Sequence, residues 1–238
     1  MKKLITTCCI VGAFASASQA QIKLGLKLSP QITWVAPESK GISSGGSKIN
    51  ASYGLMFDYY FTENYAFATE ISVANYAGEL IVKDSKITRG VIPAVSQDVN
   101  YIYRTQYVSV PLMLRMRTNE IGYFRYYADF GLDLALLVRA KADINNSSID
   151  LTEVNVNTPD KKDEYTIESN DIPSIKYNDD VAILRTAMVI GVGIQYKIFG
   201  NTLLVAGARY NKALNNFTVE DDWKAQMNAV SLNLGVLF

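Results

Sequence analysis

From residue 22 onward, apolar and polar side chains alternate with period two rather than with the 3.6 of a helix. Eight segments carry the alternation: 22–35, 51–61, 65–77, 104–117, 124–138, 184–198, 202–212 and 226–238. Most are ten to fifteen residues long. A soluble strand averages about five or six residues, whereas a strand tilted across a bilayer needs about nine to eleven. Within each segment the two faces differ in kind. In 184–198 one parity carries Leu184, Met188, Ile190, Val192, Ile194 and Ile198, and the other carries Arg185, Gly191, Gly193, Gln195 and Lys197. In 104–117, Val108, Val110, Leu112, Leu114 and Met116 oppose Ser109, Arg115 and Arg117.

A soluble sandwich buries such an apolar face, while a membrane barrel turns it to lipid and keeps the polar face inside. Strand length and the placement of charges in mid-strand both favour the membrane barrel. The connections alternate as well: 62–64, 118–123 and 200–201 are tight, and 36–50, 78–103, 139–183 and 213–225 are long. The pattern therefore predicts an all-β fold, an eight-stranded antiparallel up-and-down transmembrane β-barrel. Both chain ends fall on the short-turn, periplasmic side. Closure leaves no unpaired strand edge in lipid. Tyr59, Phe61, Tyr65, Phe67, Phe124, Tyr126, Tyr196 and Phe238 gather near that side, and Trp34, Tyr53 and Tyr210 near the other, as two interfacial aromatic belts would.

Parity also assigns the lumen. Its basic residues are Lys23, Lys27, Arg115, Arg117, Arg125, Arg185, Lys197 and Arg209, and its acidic ones Asp58, Glu70, Asp129 and Asp133, eight against four. They predict either a packed network of ion pairs or an arginine-lined conduit or anion site. The packed network is favoured, because an eight-stranded barrel is only wide enough for its own side chains. The glycines of "GVG" (191–193) sit mid-strand, where they relieve crowding in the lumen; no helix follows to make them a nucleotide loop. Pro111 lacks the N–H that a closed barrel requires, so a bulge or local distortion is expected there. The long outer loop 139–183 holds ten acidic residues and no calcium-loop spacing, and Thr152–Ile167 is a candidate extension of the strands beyond the membrane.

Composition narrows the function. Formal net charge is zero, which gives no basis for nucleic-acid binding. Histidine is absent, removing the usual general base and commonest metal ligand. No phosphate loop, nucleophile elbow or metal motif is present, so neither enzymatic activity nor a cofactor or metal site is expected. Residues 1–20 read as an export signal: Lys2 and Lys3, the apolar run 4–15, and "SQA" (18–20), with cleavage after Ala20. Both cysteines, Cys8 and Cys9, lie in that segment, so residues 21–238 form a cysteine-free barrel domain.

The leader together with "YVSVPLMLRMR" (107–117), "GVGIQYKI" (191–198), "GARYNKALNN" (207–216) and "VSLNLGVLF" (230–238) resembles the PorT-like outer-membrane β-barrel proteins of Bacteroidetes. The family's "x-x-I-P-L-x-L-[KR]"-like strand corresponds to Val108–Arg115 and makes Pro111 a family trait. The resemblance implies the bacterial outer membrane and an association with type IX secretion. It leaves three roles open: a structural or interaction protein working through its long outer loops, an accessory component of a secretion machine, and a narrow pore. The final strand, with Leu234, Val236 and Phe238 on its apolar parity, resembles the signal read by the barrel-assembly machinery. Expected partners are outer-membrane lipid, that machinery and other envelope proteins.

Overall fold

The computed structural model describes residues 21–82, 99–144, 174–176, 181–218 and 224–238, and the described residues form nine strands. They are β1 (Gln21–Pro37), β2 (Ile42–Tyr60), β3 (Tyr65–Val82), β4 (Val99–Arg117), β5 (Phe124–Ile144), β6 (Ser174–Lys176), β7 (Leu184–Phe199), β8 (Thr202–Ala213) and β9 (Ala225–Leu237). Eight of them close a circuit in the order β1-β2-β3-β4-β5-β7-β8-β9 and back to β1, with every pairing antiparallel. The predicted closed eight-stranded barrel is therefore the fold. The three-residue β6 stands outside that circuit. It pairs with Lys141–Asp143 of β5, beyond Leu136↔Leu184 where β7 begins.

Several strands run further on the far side than the alternation indicated. β2 begins at Ile42 rather than 51, β3 continues to Val82, β4 begins at Val99 and β5 continues to Ile144. The expected long link 36–50 shrinks to 38–41, and the outer loop 139–183 opens with strand and contains β6. The asymmetry of the barrel thus lies in strand length as well as in loop length. These extensions were missed because their outward face is polar, and the sequence reading required an unbroken apolar face. Residues 1–20, with Cys8, Cys9 and the cleavage point after Ala20, lie outside the described residues, as does the Thr152–Ile167 extension.

Pro111 meets one half of the expectation of a bulge or local distortion: the ladder to β3 is interrupted there, and no bulge forms. β3 and β4 keep one register on both sides of it, Thr69↔Leu112 and Ser72↔Ser109, and only the intervening pairings are lost. Toward β5, Pro111 stays opposite Asp133, and the irregularity of that pair falls at Gln106/Tyr107 instead. The missing donor costs contact along one edge of the strand and does not shift the strand.

The exterior falls into rows set by register. On β3 the outward residues from Tyr65 to Val73, with their partners from Met116 to Val108 on β4, form the apolar belt. Nine residues at about 3.3 Å each, tilted about 40°, rise roughly 23 Å, close to the apolar band of an outer-membrane barrel. On β3 to β5 the belt ends at the row Val73–Val108–Leu136, and the next row is Asn75–Gln106–Arg139, whereas on β1 and β2 outward apolar residues continue to Ile32 and Ile49. Aromatic pairs mark both edges: Phe61 on Tyr65 at 6.3 Å and Phe124 against Tyr196 at 5.0 Å on the short-turn side, and Trp34 stacked on Tyr210 at 6.3 Å on the other.

Above the belt the interior changes with the exterior. Val35, Leu80, Tyr103, Met227 and Phe217 form a buried apolar cluster at the outer end of the lumen. Phe217 meets Tyr103 edge-on at 5.3 Å. Its backbone joins Ala182 and Ala225, which fixes the β8–β9 link across the barrel end.

Candidate functional site

All twelve lumen residues predicted from parity lie on the inward face, but they divide into two groups. Lys27, Arg115, Arg185, Arg209, Asp58, Glu70, Asp129 and Asp133 are buried. Lys23, Arg117, Arg125 and Lys197 lie at the strand ends nearest the short turns. The deep group is balanced, four cations against four anions, so the excess of positive charge belongs wholly to the short-turn mouth.

Six of the deep residues form one continuous chain. Arg115 places Nε on Asp129 Oδ1 at 2.7 Å and Nη2 on Oδ2 at 2.9 Å, and its Nη1 reaches Asp58. Arg209 donates to both oxygens of Glu70, at 3.0 and 2.8 Å, and its Nη2 lies 3.5 Å from Asp129. Lys27 completes the set by pairing with Glu70. The order is Asp58, Arg115, Asp129, Arg209, Glu70, Lys27. The forked geometry suits guanidinium and carboxylate, since two parallel bonds fix orientation as well as charge. Burying such charges is expensive unless each is paired and hydrogen-bonded.

Arg185 makes a separate unit. It lies 3.3 Å from Asp133, donates to the Met227 carbonyl at 2.9 Å and sits over the Tyr76 ring at 4.4 Å. Asp133 also accepts the Ser109 hydroxyl.

Aromatic rings also hold the cations. Arg115 lies over Tyr127 at 4.5 Å and Arg117 over Tyr60 at 3.7 Å. Tyr127 fits because its neighbours are glycines. A Cβ at Gly207 would lie 2.4 Å from the Tyr127 hydroxyl, and one at Gly193 would lie 2.6 Å from it. The expectation that the "GVG" glycines relieve lumen crowding therefore holds at Gly193. The space left around Lys27, Glu70 and Arg209 is about 10 Å³, no more than one water would need.

At the mouth the pairs are looser. Lys23 donates to the Asn201 carbonyl at 2.8 Å, and Arg117 to the Glu63 carbonyl at 2.7 Å. Arg125 meets Glu120 at 2.6 Å and Lys197 meets it at 4.0 Å, with all three side chains partly exposed. Arg125 and Lys197 are thus rim residues and not members of the deep network. Glu120 was missed because it sits in a turn, where parity says nothing. Tyr60, Tyr76 and Tyr127 stand on the lumen parity but were passed over in a search for charge. Among the described residues, no cluster of His, Cys, Asp or Glu is arranged to hold a metal. Leu234 and Phe238 are exposed on the outward face, and the Phe238 N–H donates to the Leu24 carbonyl at 2.7 Å.

Comparison with known proteins gives one family match. The model of the outer membrane protein beta-barrel domain matches residues 14–219. No curated protein matches the chain. Among solved structures, Neisserial surface protein A is 14% identical with a TM-score of 0.46, over 92% of this chain and 98% of that one. OprG of Pseudomonas aeruginosa is 11% identical with a TM-score of 0.41, over 92% and 94%. Ail, the attachment invasion locus protein of Yersinia pestis, solved with the heparin analogue sucrose octasulfate, is 16% identical with a TM-score of 0.37, over 92% and 97%. Likeness at this level carries no argument about role.

Proposed function

The chain belongs to the outer membrane protein beta-barrel domain family and is an outer-membrane β-barrel protein; from that premise we propose that it serves as a structural and interaction protein through its outward-facing loops and strand extensions. The observation that carries this reading is the filled lumen. Six linked charges, Arg185 with Asp133, and the Tyr103–Phe217 cluster occupy the space a conduit would need. No observation points to catalysis. The strands β2 to β5 instead extend beyond the apolar belt and raise a polar surface above it.

The test replaces the outer segment 145–173 with a short turn. Photo-crosslinks from that side to other envelope proteins should disappear, while heat-modifiable migration of the unboiled barrel is retained. Crosslinks that survive the replacement contradict the reading. Planar-bilayer recordings of the full chain should show no reproducible open state; a clear one favours the narrow pore.

A second reading is an accessory role in type IX secretion. It is favoured by the PorT-like strand Val108–Arg115, which is part of β4. A deletion strain that loses export of type IX cargo supports it, and normal export removes it. Two further proposals concern biogenesis. A mature amino terminus at Gln21 would establish cleavage after Ala20. Poor assembly of Phe238→Ala, with a normal barrel once assembled, would establish Leu234, Val236 and Phe238 as the assembly signal.

A further inference from the structure

Among the described residues, five cations are buried inside the barrel: Lys23, Lys27, Arg115, Arg185 and Arg209. Four of them hold a carboxylate. Lys27 and Arg209 share Glu70, Arg115 holds Asp58 and Asp129, and Arg185 holds Asp133. Lys23 is the exception. Its ammonium donates to the Asn201 carbonyl at 2.8 Å, a neutral acceptor in the β7–β8 turn. Asp58, its partner in register, is engaged by Arg115 and by the Tyr60 hydroxyl at 3.3 Å. A buried cation without an anion of its own is costly.

Arg117 repeats the arrangement on the other side of the mouth. Its Nε donates to the Glu63 carbonyl at 2.7 Å in the β2–β3 turn, and its Nη1 is buried with no hydrogen-bond partner among the described residues. The Tyr60 ring covers the guanidinium face at 3.7 Å, which leaves the edge donors free for a planar acceptor. Arg117, Arg125 and Lys197 all bear on the charge of Lys23, with Asp58 opposing them. Two carboxylates stand in the adjoining turns. Glu120 is taken by Arg125 and Lys197, and Glu63 meets Arg117 through its backbone. The Lys23–Arg117 side of the mouth therefore holds its cations at the level of the turns on neutral acceptors alone. Lys23 faces the lumen and is 6% exposed, so lipid outside the wall does not reach it and a flat protein surface would stop at the turns. A carboxylate on an extended chain is narrow enough to enter, and with the short turns periplasmic it would come from the periplasm. We propose that this mouth binds an acidic, extended peptide segment of a periplasmic partner, with one carboxylate reaching Lys23 and Arg117. This lies beyond the outward-facing role above and rests on the barrel and its orientation.

The experiment uses the folded full chain in zwitterionic micelles at neutral pH, its barrel checked by heat-modifiable migration. It is titrated with a hexaglutamate peptide and, in parallel, with a hexaglutamine peptide. The glutamate peptide should bind at least about tenfold more tightly, and the difference should shrink as salt is raised. Amide chemical shifts should move at Lys23, Glu63, Arg117 and Asn201 and stay fixed at Lys48 and Arg139, a measurement that requires no variant. The double variant Lys23→Gln, Arg117→Gln should keep heat-modifiable migration and lose the preference for glutamate. The control Lys40→Gln, Lys212→Gln, at the opposite end, should retain it. Equal binding of the two peptides, shifts confined to the outer end, or equal loss in the control overturns the proposal. So does displacement of the peptide by phosphatidylglycerol added to the micelles, which would make this a lipid headgroup site. If the double variant fails to fold, the shift map of the wild type decides. Loss of heat-modifiable migration in the wild type would strike the barrel reading, and this proposal with it.

Discussion

Below the row Asn75–Gln106–Arg139, Glu70, Asp129 and Arg209 fill the barrel, and Val110, Leu112 and Leu134 face outward. Above that row, Leu80, Tyr103 and Phe217 fill it, and Arg104 and Lys141 face outward. The strands do not break at the crossing; β3, β4 and β5 run through it with side chains still alternating in and out. What changes is the solvent. In lipid, the outside must be apolar, and the inside is where charges can be held by one another. In water, a polar outside is free, and the hydrophobic effect acts only if the inside is apolar. One closed sheet therefore carries two opposite patterns, with a boundary one residue row thick.

The largest effect expected on this contrast comes from the lower region. Glu70→Ala leaves Lys27 and Arg209 buried and facing each other. It should cost about 3–5 kcal/mol, read as a lowered urea midpoint for the heat-modifiable band. Replacing all three with apolar residues of similar volume should recover most of that loss. An unchanged midpoint in Glu70→Ala would mean that the network does not hold the lower barrel.

In the upper region the matching change is Phe217→Ala. It should cost about 3 kcal/mol, confined to the outer end. Amides around Leu80 and Tyr103 should exchange faster, while those around Glu70 and Arg115 keep their protection. Uniform loss along the strands would mean that the two regions unfold as one.

The outside gives the third prediction. Leu132→Arg, within the belt, should cost at least about 2 kcal/mol, whereas Ile102→Arg, above the boundary, should cost no more than about 1. Similar costs at the two positions would erase the distinction.

The smallest effect belongs to the mouth. Arg125→Ala removes a partly exposed partner of Glu120 and should change stability by less than about 1 kcal/mol. A larger loss would show that the rim is part of the deep network.

The lower region was legible in the sequence because lipid imposes an unbroken apolar parity, and everything of opposite parity then falls inside. That rule placed Asp58, Glu70, Arg115, Asp129, Asp133, Arg185 and Arg209 in the lumen and gave the strand count. The upper region was not legible. Lys48 and Lys141 read as loop residues and Arg104 as the first residue of its strand, because a search for one apolar face stops where that face ends. Tyr103 and Leu80 occupy the inward parity there, but nothing in a period-two pattern says that inside and outside have exchanged polarity. Phe217 reaches the interior from a link between strands, where periodicity has no hold. Which arginine meets which carboxylate depended on register across distant strands, as when Arg209 of β8 meets Glu70 of β3.

The polarity reversal can be measured directly on the outward face of β4. Single cysteines carrying a spin label, placed in turn at Leu114, Leu112, Val110, Val108, Gln106, Arg104 and Ile102 of the protein in lipid bilayers, report access to oxygen from the lipid and to a nickel chelate from water. The account predicts oxygen access from Leu114 through Val108 and a switch to nickel access at Gln106, continuing to Ile102. Oxygen access that persists through Ile102, or a switch well below Val108, would contradict the placement of the boundary and with it the division of the barrel into two opposite halves.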